Sequence, residues 1–193
     1  KAIENLLGSL KDIETRHIEE VLNRLAKPAG RSIDLPCGLV FYIEYDRFLL
    51  GPQPENLSPF PALQGECELV IPGETDLPGW RIETRVKPLA EVANTAENLD
   101  AFTAFLDWKK VGKIVSVRPL KPGDRFQPLG MDQGKKVALF MLDARVPKLW
   151  RADVPIFCTP RQIIWVAGYR LDERVKITPS TRQVLCLKMM RTS

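Results

Sequence analysis

The chain has 193 residues, 45% of them hydrophobic and 27% charged, with a formal net charge of +4. That length and apolar content suffice for one good core or two small ones and exclude a disordered chain. No apolar run approaches the roughly 20 residues needed to cross a bilayer and no signal-peptide pattern opens the chain, so no membrane partner is expected.

In chain order, Ile3, Leu6, Leu7 and Leu10, then Ile18, Val21, Leu22 and Leu25, recur at helical spacing. Thr15 suits the N-cap of the second helix, with Lys27 near its end and Pro28 beyond; His17 reads as a packing or capping histidine, since no Cys, Ser or Asp pairs with it at helical spacing. A helical pattern that begins at once on Lys1, rather than after a Met, suggests a piece of a longer protein. After Gly30 the period becomes two, and Ile33 to Leu50 reads as an antiparallel meander turning near Pro36-Cys37-Gly38 and Tyr45-Asp46.

The proline-rich stretch 51–65 is the best linker, which predicts domains over 1–58 and 59–193, the latter with a core module at 112–193. Beyond it, Cys67 to Ile71 and Trp80 to Val86 read as strands around a Pro72-Gly73 turn, and a short helix is expected within Glu91 to Asp100. Strands at Phe102 to Asp107 and Lys113 to Val117 flank Trp108-Lys109-Lys110. A helix from Lys136 ends before Pro147, a second short one holds Lys148 to Arg151, and strands at Ile156 to Cys158, Ile163 to Ala167, Val175 to Ile177 and Val184 to Leu187 complete the sheet. The class is α+β: N-terminal helices and a small meander, then a strand-rich mixed domain.

The net charge conceals a division. Residues 1–110 hold 12 Lys+Arg and 18 Asp+Glu, a balance of −6, whereas residues 111–193 hold 16 and 6, a balance of +10. A segment this basic attached to an acidic one points to a polyanion partner, because phosphates reward clustered cations through counterion release. The run Arg118 to Gly130 concentrates the signal. It is a loop stiffened by Pro119, Pro122 and Pro128, carrying Arg118, Lys121 and Arg125 against Asp124, with Lys135 and Lys136 at an expected helix N-terminus. The competing reading is a surface turn in which Asp124 pairs with Arg125.

Catalysis finds little support. Asp124 and Asp143 have Arg125 and Arg145 close by, and Asp172-Glu173 lies between Arg170 and Arg174, where carboxylates orient cations. Neither a phosphate-binding Gly-x-x-x-x-Gly-Lys-Ser/Thr loop nor a Gly-x-Ser-x-Gly elbow occurs. Cys37, Cys67, Cys158 and Cys186 lie far apart, which favours reduced core thiols in a cytoplasmic protein over a metal site.

Pro-Gly-Asp-Arg-Phe (122–126), Pro-Leu-Gly (128–130), Gly-Lys-Lys (134–136), Leu-Asp-Ala-Arg-Val-Pro-Lys (142–148), Ile-Trp-Val-Ala-Gly (164–168), Arg-Leu-Asp-Glu-Arg (170–174) and Lys-Ile-Thr (176–178) stand in a telling order. In that order and spacing they resemble the C-terminal domain of bacterial tRNA(Ile)-lysidine synthetases. Thr15 to Leu25, Ile-Asp-Leu-Pro (33–36), Glu-Tyr-Asp (44–46), Pro-Gly-Glu-Thr (72–75) and Leu-Asp (106–107) resemble that family's middle region more loosely. Leu139 departs from the pattern, where the family suggests an acid.

The resemblance implies a ligase that uses ATP with Mg and free lysine, in an N-terminal domain with a Ser-Gly-Gly-x-Asp-Ser loop, to convert the wobble cytidine of a minor isoleucine tRNA to lysidine. That loop is absent here, so no catalytic residue and no cofactor is expected in this chain. What remains corresponds to the end of the helical middle domain and the C-terminal domain, which grip the acceptor-stem side of the tRNA. Duplex RNA is held mainly through phosphates, 2′-hydroxyls and shape. Candidate contacts are Arg118, Lys121, Arg125, Lys135, Lys136, Arg145, Lys148, Arg151, Arg170, Arg174 and Lys176, with Asp124, Asp143 and Asp172 orienting them. Trp165 reads as buried strand, whereas Trp150 either packs or stacks. Expected partners are tRNA and the N-terminal catalytic domain. Two alternatives stand: a protein-interaction module docking on other domains of the same enzyme, and a stand-alone enzyme with a pocket near Asp124.

Overall fold

The structure, a computed structural model, describes residues 2–9, 11–25, 31–44, 47–52, 58–60, 63–92 and 100–192. The class is α+β. Packing divides the chain into two compact units, Lys1–Pro59 with Arg145–Arg151, and Phe60–Ala144 with Ala152–Ser193.

The first unit holds helices α1 (Ala2–Leu7) and α2 (Thr15–Leu25) and the antiparallel sheet β1 (Arg31–Asp34), β2 (Val40–Glu44), β3 (Arg47–Gly51), in that order. Ile33, Leu35 and Leu39 form its buried centre, with Ile3, Val21, Phe41 and Leu50 packed around them. α1 stops at Gly8, which adopts φ 70°. The cap of α2 lies one residue earlier than expected: the Glu14 backbone N–H donates to His17 Nδ1 at 3.0 Å. This is the return arm of a capping box, with His17 where Glu or Gln is more usual. The β1–β2 turn is a 3₁₀ turn at Pro36–Gly38 that places Cys37 at φ 59°. Cys37 is exposed, against the expectation of a core thiol, and its thiol donates to Asp12 Oδ2. The turn expected at Tyr45-Asp46 lies outside the described residues, as do parts of the stretch 51–65.

The second unit is built on two antiparallel sheets. One has the order β5 (Gly73–Leu77), β6 (Trp80–Pro88), β14 (Gln183–Arg191), β7 (Thr103–Asp107). The other runs β13 (Arg170–Leu171), β12 (Ile163–Val166), β11 (Ile156–Cys158), β8 (Ser116–Arg118), β4 (Cys67–Glu68). A hairpin pairs β9 (Arg125–Phe126) with β10 (Lys135–Lys136), leading into α5 (Val137–Asp143). Leu106, Leu185 and Leu187 from the first sheet and Val117, Phe157 and Trp165 from the second belong to one buried cluster. A bulge sets Trp165 against Phe157 and Ile163 against Cys158. Ile164, the extra residue, therefore joins Trp165 in the same core, and the Trp165 and Phe157 rings lie 4.8 Å apart.

The structure corrects or refines three of the sequence readings, and a fourth falls largely outside the described residues. Gly73–Leu77 is a strand, not only the end of a turn: Thr75 and Leu77 are buried while Glu74 and Asp76 face out, an alternation masked by two acids of low strand propensity. Trp108–Val111 is a helical turn, α4, because the Asp107 carboxylate accepts from Lys110 N–H. The strand expected at Val175 to Ile177 does not form: Val175 ends a 3₁₀ turn, Glu173–Val175, capped by Asp172, which accepts from Arg174 N–H. Of the helix expected within Glu91 to Asp100, the described part is α3 (Leu89–Val92), and residues 93–99 lie outside the described residues.

Candidate nucleic-acid interface

Strand alternation decides the fate of the cationic turn. Val117 points into the core, so Arg118, opposite Ile156, emerges on the other face of its sheet. There it is 8% exposed and grips Asp124 with two parallel hydrogen bonds, Nη1 to Oδ2 at 2.7 Å and Nη2 to Oδ1 at 2.8 Å. Lys121 N–H also donates to Asp124 Oδ2, closing the turn with Gly123 at φ 86°. Burial pushes the Asp124 carboxyl up, but the Arg118 hydrogen bonds, the Lys121 N–H and the Arg118 charge outweigh it and hold it below its ordinary value. Lys121 Nζ meets Glu66 at 3.1 Å, and the Ser116 hydroxyl donates to the same carboxylate. Nearby, burial pushes the Cys158 thiol up to about 11. The partner of Asp124 is thus Arg118, not Arg125.

The hairpin is arranged differently. Phe126 is buried and meets the Phe140 ring edge-on at 5.0 Å, with Val137 and Met141 buried on the same helix. Arg125 and Lys136 lie directly opposite each other across the two strands, and both are exposed. Arg125 Nη2 donates to the Gly134 carbonyl at 2.9 Å. Among the described residues, neither cation has a carboxylate within ion-pair distance. Like charges directly opposed in a sheet cost stability. Lys135, one residue away, is paired with Asp143, which therefore serves Lys135 rather than Arg145. The N-terminus of α5 is not the open anion site expected: the helix has seven residues, and Val137 N–H donates to the Asp124 carbonyl. Leu139 and Leu142 are exposed, so that helix side is apolar, consistent with the missing acid at Leu139.

Asp172 is the fixed point of the remaining cluster. Fully buried, it accepts from Gln127 N–H at 2.8 Å, Arg174 N–H at 2.9 Å, and Arg174 Nε and Nη2 at 2.8 and 2.7 Å. Glu173 Oε2 accepts from Gly130 N–H, and its carboxylate pairs with Lys176. The Gly130 N–H, followed by Lys176, holds the Glu173 carboxyl below its ordinary value. Residues 127–130 are thereby latched to 171–174, a tie the sequence signalled only through adjacent acids between arginines. Arg170 is exposed, with no ion-pair partner among the described residues.

The other three candidates belong to the first unit. Arg145 is exposed at φ 53°, Lys148 is exposed, and Arg151 Nε donates to the Val146 carbonyl at 2.9 Å. Lys148 N–H donates to Glu44, a carboxylate 4% exposed that the sequence did not single out. Trp150 is buried, so its ring packs rather than offering a stacking face. Among the described residues no group of His, Cys, Asp or Glu is placed to hold a metal ion, and no helix is long and apolar enough to cross a membrane.

The chain is a strand-rich α+β protein in whose basic half an exposed, cross-strand Arg–Lys pair has no carboxylate partner among the described residues. Residues 115–187 match the family described as the TilS substrate C-terminal domain. The chain is similar to the tRNA(Ile)-lysidine synthase of Dehalococcoides mccartyi (strain CBDB1), 44% identical over 183 residues, covering 95% of this chain and 38% of that protein. It is 30% identical over 182 residues to that of Caldanaerobacter subterraneus subsp. tengcongensis, covering 94% and 38%. A crystal structure of a TilS C-terminal domain shares the fold, with a TM-score of 0.54 and 20% identity over 66% of this chain and 98% of that one. The chain thus resembles the C-terminal part of bacterial tRNA(Ile)-lysidine synthases, and spans 38% of the length of those two relatives.

Proposed function

We propose that this chain is the tRNA-holding part of a tRNA(Ile)-lysidine synthase, gripping the acceptor-stem side while a separate domain performs the ligation with ATP, Mg and lysine. The observation that carries the reading is the exposed Arg125–Lys136 pair, without a carboxylate partner among the described residues, in a C-terminal segment with a balance of +10. Arg170 and, on the first unit, Arg145 and Lys148 are further contacts of the same kind. Arg118 is spent inside the fold and serves as scaffold, and Arg174, though exposed, is held by the buried Asp172, while Lys121, Lys135 and Lys176 exchange a partly exposed acid for phosphate at smaller gain. Asp124, Asp143 and Asp172 keep the role of orienting acids. The domains at 1–58 and 59–193 and a cytoplasmic location belong to the same reading.

Binding of tRNA by the full chain, measured at several salt concentrations, tests it. The expected log-log slope is about −0.7 to −0.9 per phosphate contacted. Absence of binding even at low salt favours the alternative, an interaction module docking on the rest of the enzyme, for which the exposed Leu139 and Leu142 supply an apolar face.

A further inference from the structure

The outer face of the four-stranded sheet holds a cavity of about 370 Å³, distinct from the basic hairpin. Its floor is set by register: Arg85 and Phe105 flank Cys186 on neighbouring strands, and one row away Glu83 and Thr103 flank Lys188. These positions alternate with Leu185 and Leu187, which face the core, so the whole row faces outward. Glu91 and Val92 of α3 line the cavity as well.

The chemistry of the lining is mixed and partly spoken for. Glu83 is paired with Arg85, and the Asp100 carboxylate accepts from Phe102 N–H and the Thr103 hydroxyl. Lys87, Lys188 and Glu91 have no side-chain hydrogen bond or ion pair among the described residues. Lys87 lies two positions beyond Arg85 on the same outward row of β6, and both line the cavity. A half-buried aromatic ring, with two ammonium groups and one carboxylate that have no partner among the described residues, therefore lines one ligand-sized hollow.

We propose that this cavity binds a nucleoside monophosphate whose base carries an exocyclic amine, cytosine or adenine. Phe105 offers a face for the base, Lys87 and Lys188 neutralise the phosphate, and Glu91 accepts from the amine. A bare anion makes no use of the ring or the carboxylate. The ligand has two sources: free nucleotide, or an unpaired nucleotide at the 3′ end of a bound RNA, the latter resting on the tRNA-binding reading above.

Calorimetric titration of the full chain with CMP, UMP and inorganic phosphate separates these, beside tRNA with and without its unpaired 3′ nucleotides. CMP is expected to bind at least about tenfold more tightly than UMP, the worth of one charged hydrogen bond. Glu91→Gln should erase that preference, Lys87→Ala with Lys188→Ala should weaken CMP at least about tenfold, and Phe105→Leu should weaken it while keeping the floor apolar. A preference for intact over trimmed tRNA that vanishes in the Lys87→Ala, Lys188→Ala double variant supports the site with RNA as its source. Equal binding of CMP, UMP and phosphate overturns the proposal, as does no CMP binding together with equal affinity for the two tRNAs. In either case salt-sensitive tRNA binding that depends on Arg125 and Lys136 leaves the hairpin reading standing.

Discussion

Two adjoining stretches, the turn Arg118–Asp124 and the hairpin Arg125–Lys136, carry similar charge to opposite ends. In the turn, a guanidinium 8% exposed is consumed by a two-pronged carboxylate that also closes the backbone, and Lys121 leans on Glu66. In the hairpin, Arg125 and Lys136 face each other without an acid among the described residues. A cation is most available to a polyanion where the fold leaves it no carboxylate, and seven positions of sequence separate Arg118 from Arg125.

The largest expected effect breaks the turn. Asp124→Ala strands the Arg118 charge where it is poorly hydrated and should cost about 3–5 kcal/mol in denaturant unfolding. Replacing both partners with apolar residues of similar volume should recover much of that loss, and a loss that persists would mean the backbone turn, not the ion pair, is what matters. Next comes the hairpin. Arg125→Ala with Lys136→Ala should flatten the salt slope of tRNA binding by about 1.4–1.8, two contacts' worth, with the unfolding midpoint essentially kept.

Acid sharpens the contrast further. Because Asp124 is held below its ordinary value, its contribution is present above the unfolded carboxyl pKa, near 3.9, and is lost as pH falls through the folded value. Stability should therefore drop below about pH 4, and an Asp124→Asn variant, already weaker at neutral pH, should show a flatter acid limb. The smallest effects separate the cations by sign. Lys136→Glu, now opposite Arg125, should stabilise the fold by roughly 0.2–1 kcal/mol while weakening tRNA binding. Lys121→Ala, which breaks only the surface pair with Glu66, should cost no more than about 1 kcal/mol.

Much of the architecture was legible because it is written in local periodicity. The meander over Ile33 to Leu50, strands at Ile156–Cys158 and Ile163–Val166, and the burial of Trp165 follow from alternation and apolar runs. Breaks from the reading sit where one side chain overrules propensity. Asp107 turns Trp108–Val111 into a helix, Asp172 turns Glu173–Val175 into a 3₁₀ turn, and His17 caps α2 from within.

By itself the amino-acid order determined the α+β class, the charge division between the halves and the likeness to lysidine synthases, since each is a property of composition, spacing or motif succession. Only tertiary structure decided which cations remain available. Arg118 takes a carboxylate six positions on, Gln127 is tied to Asp172 across 45 positions, and Lys121 finds Glu66 across 55. Electrostatic pairing acts through a few ångströms of space, and separation along the chain does not report that distance.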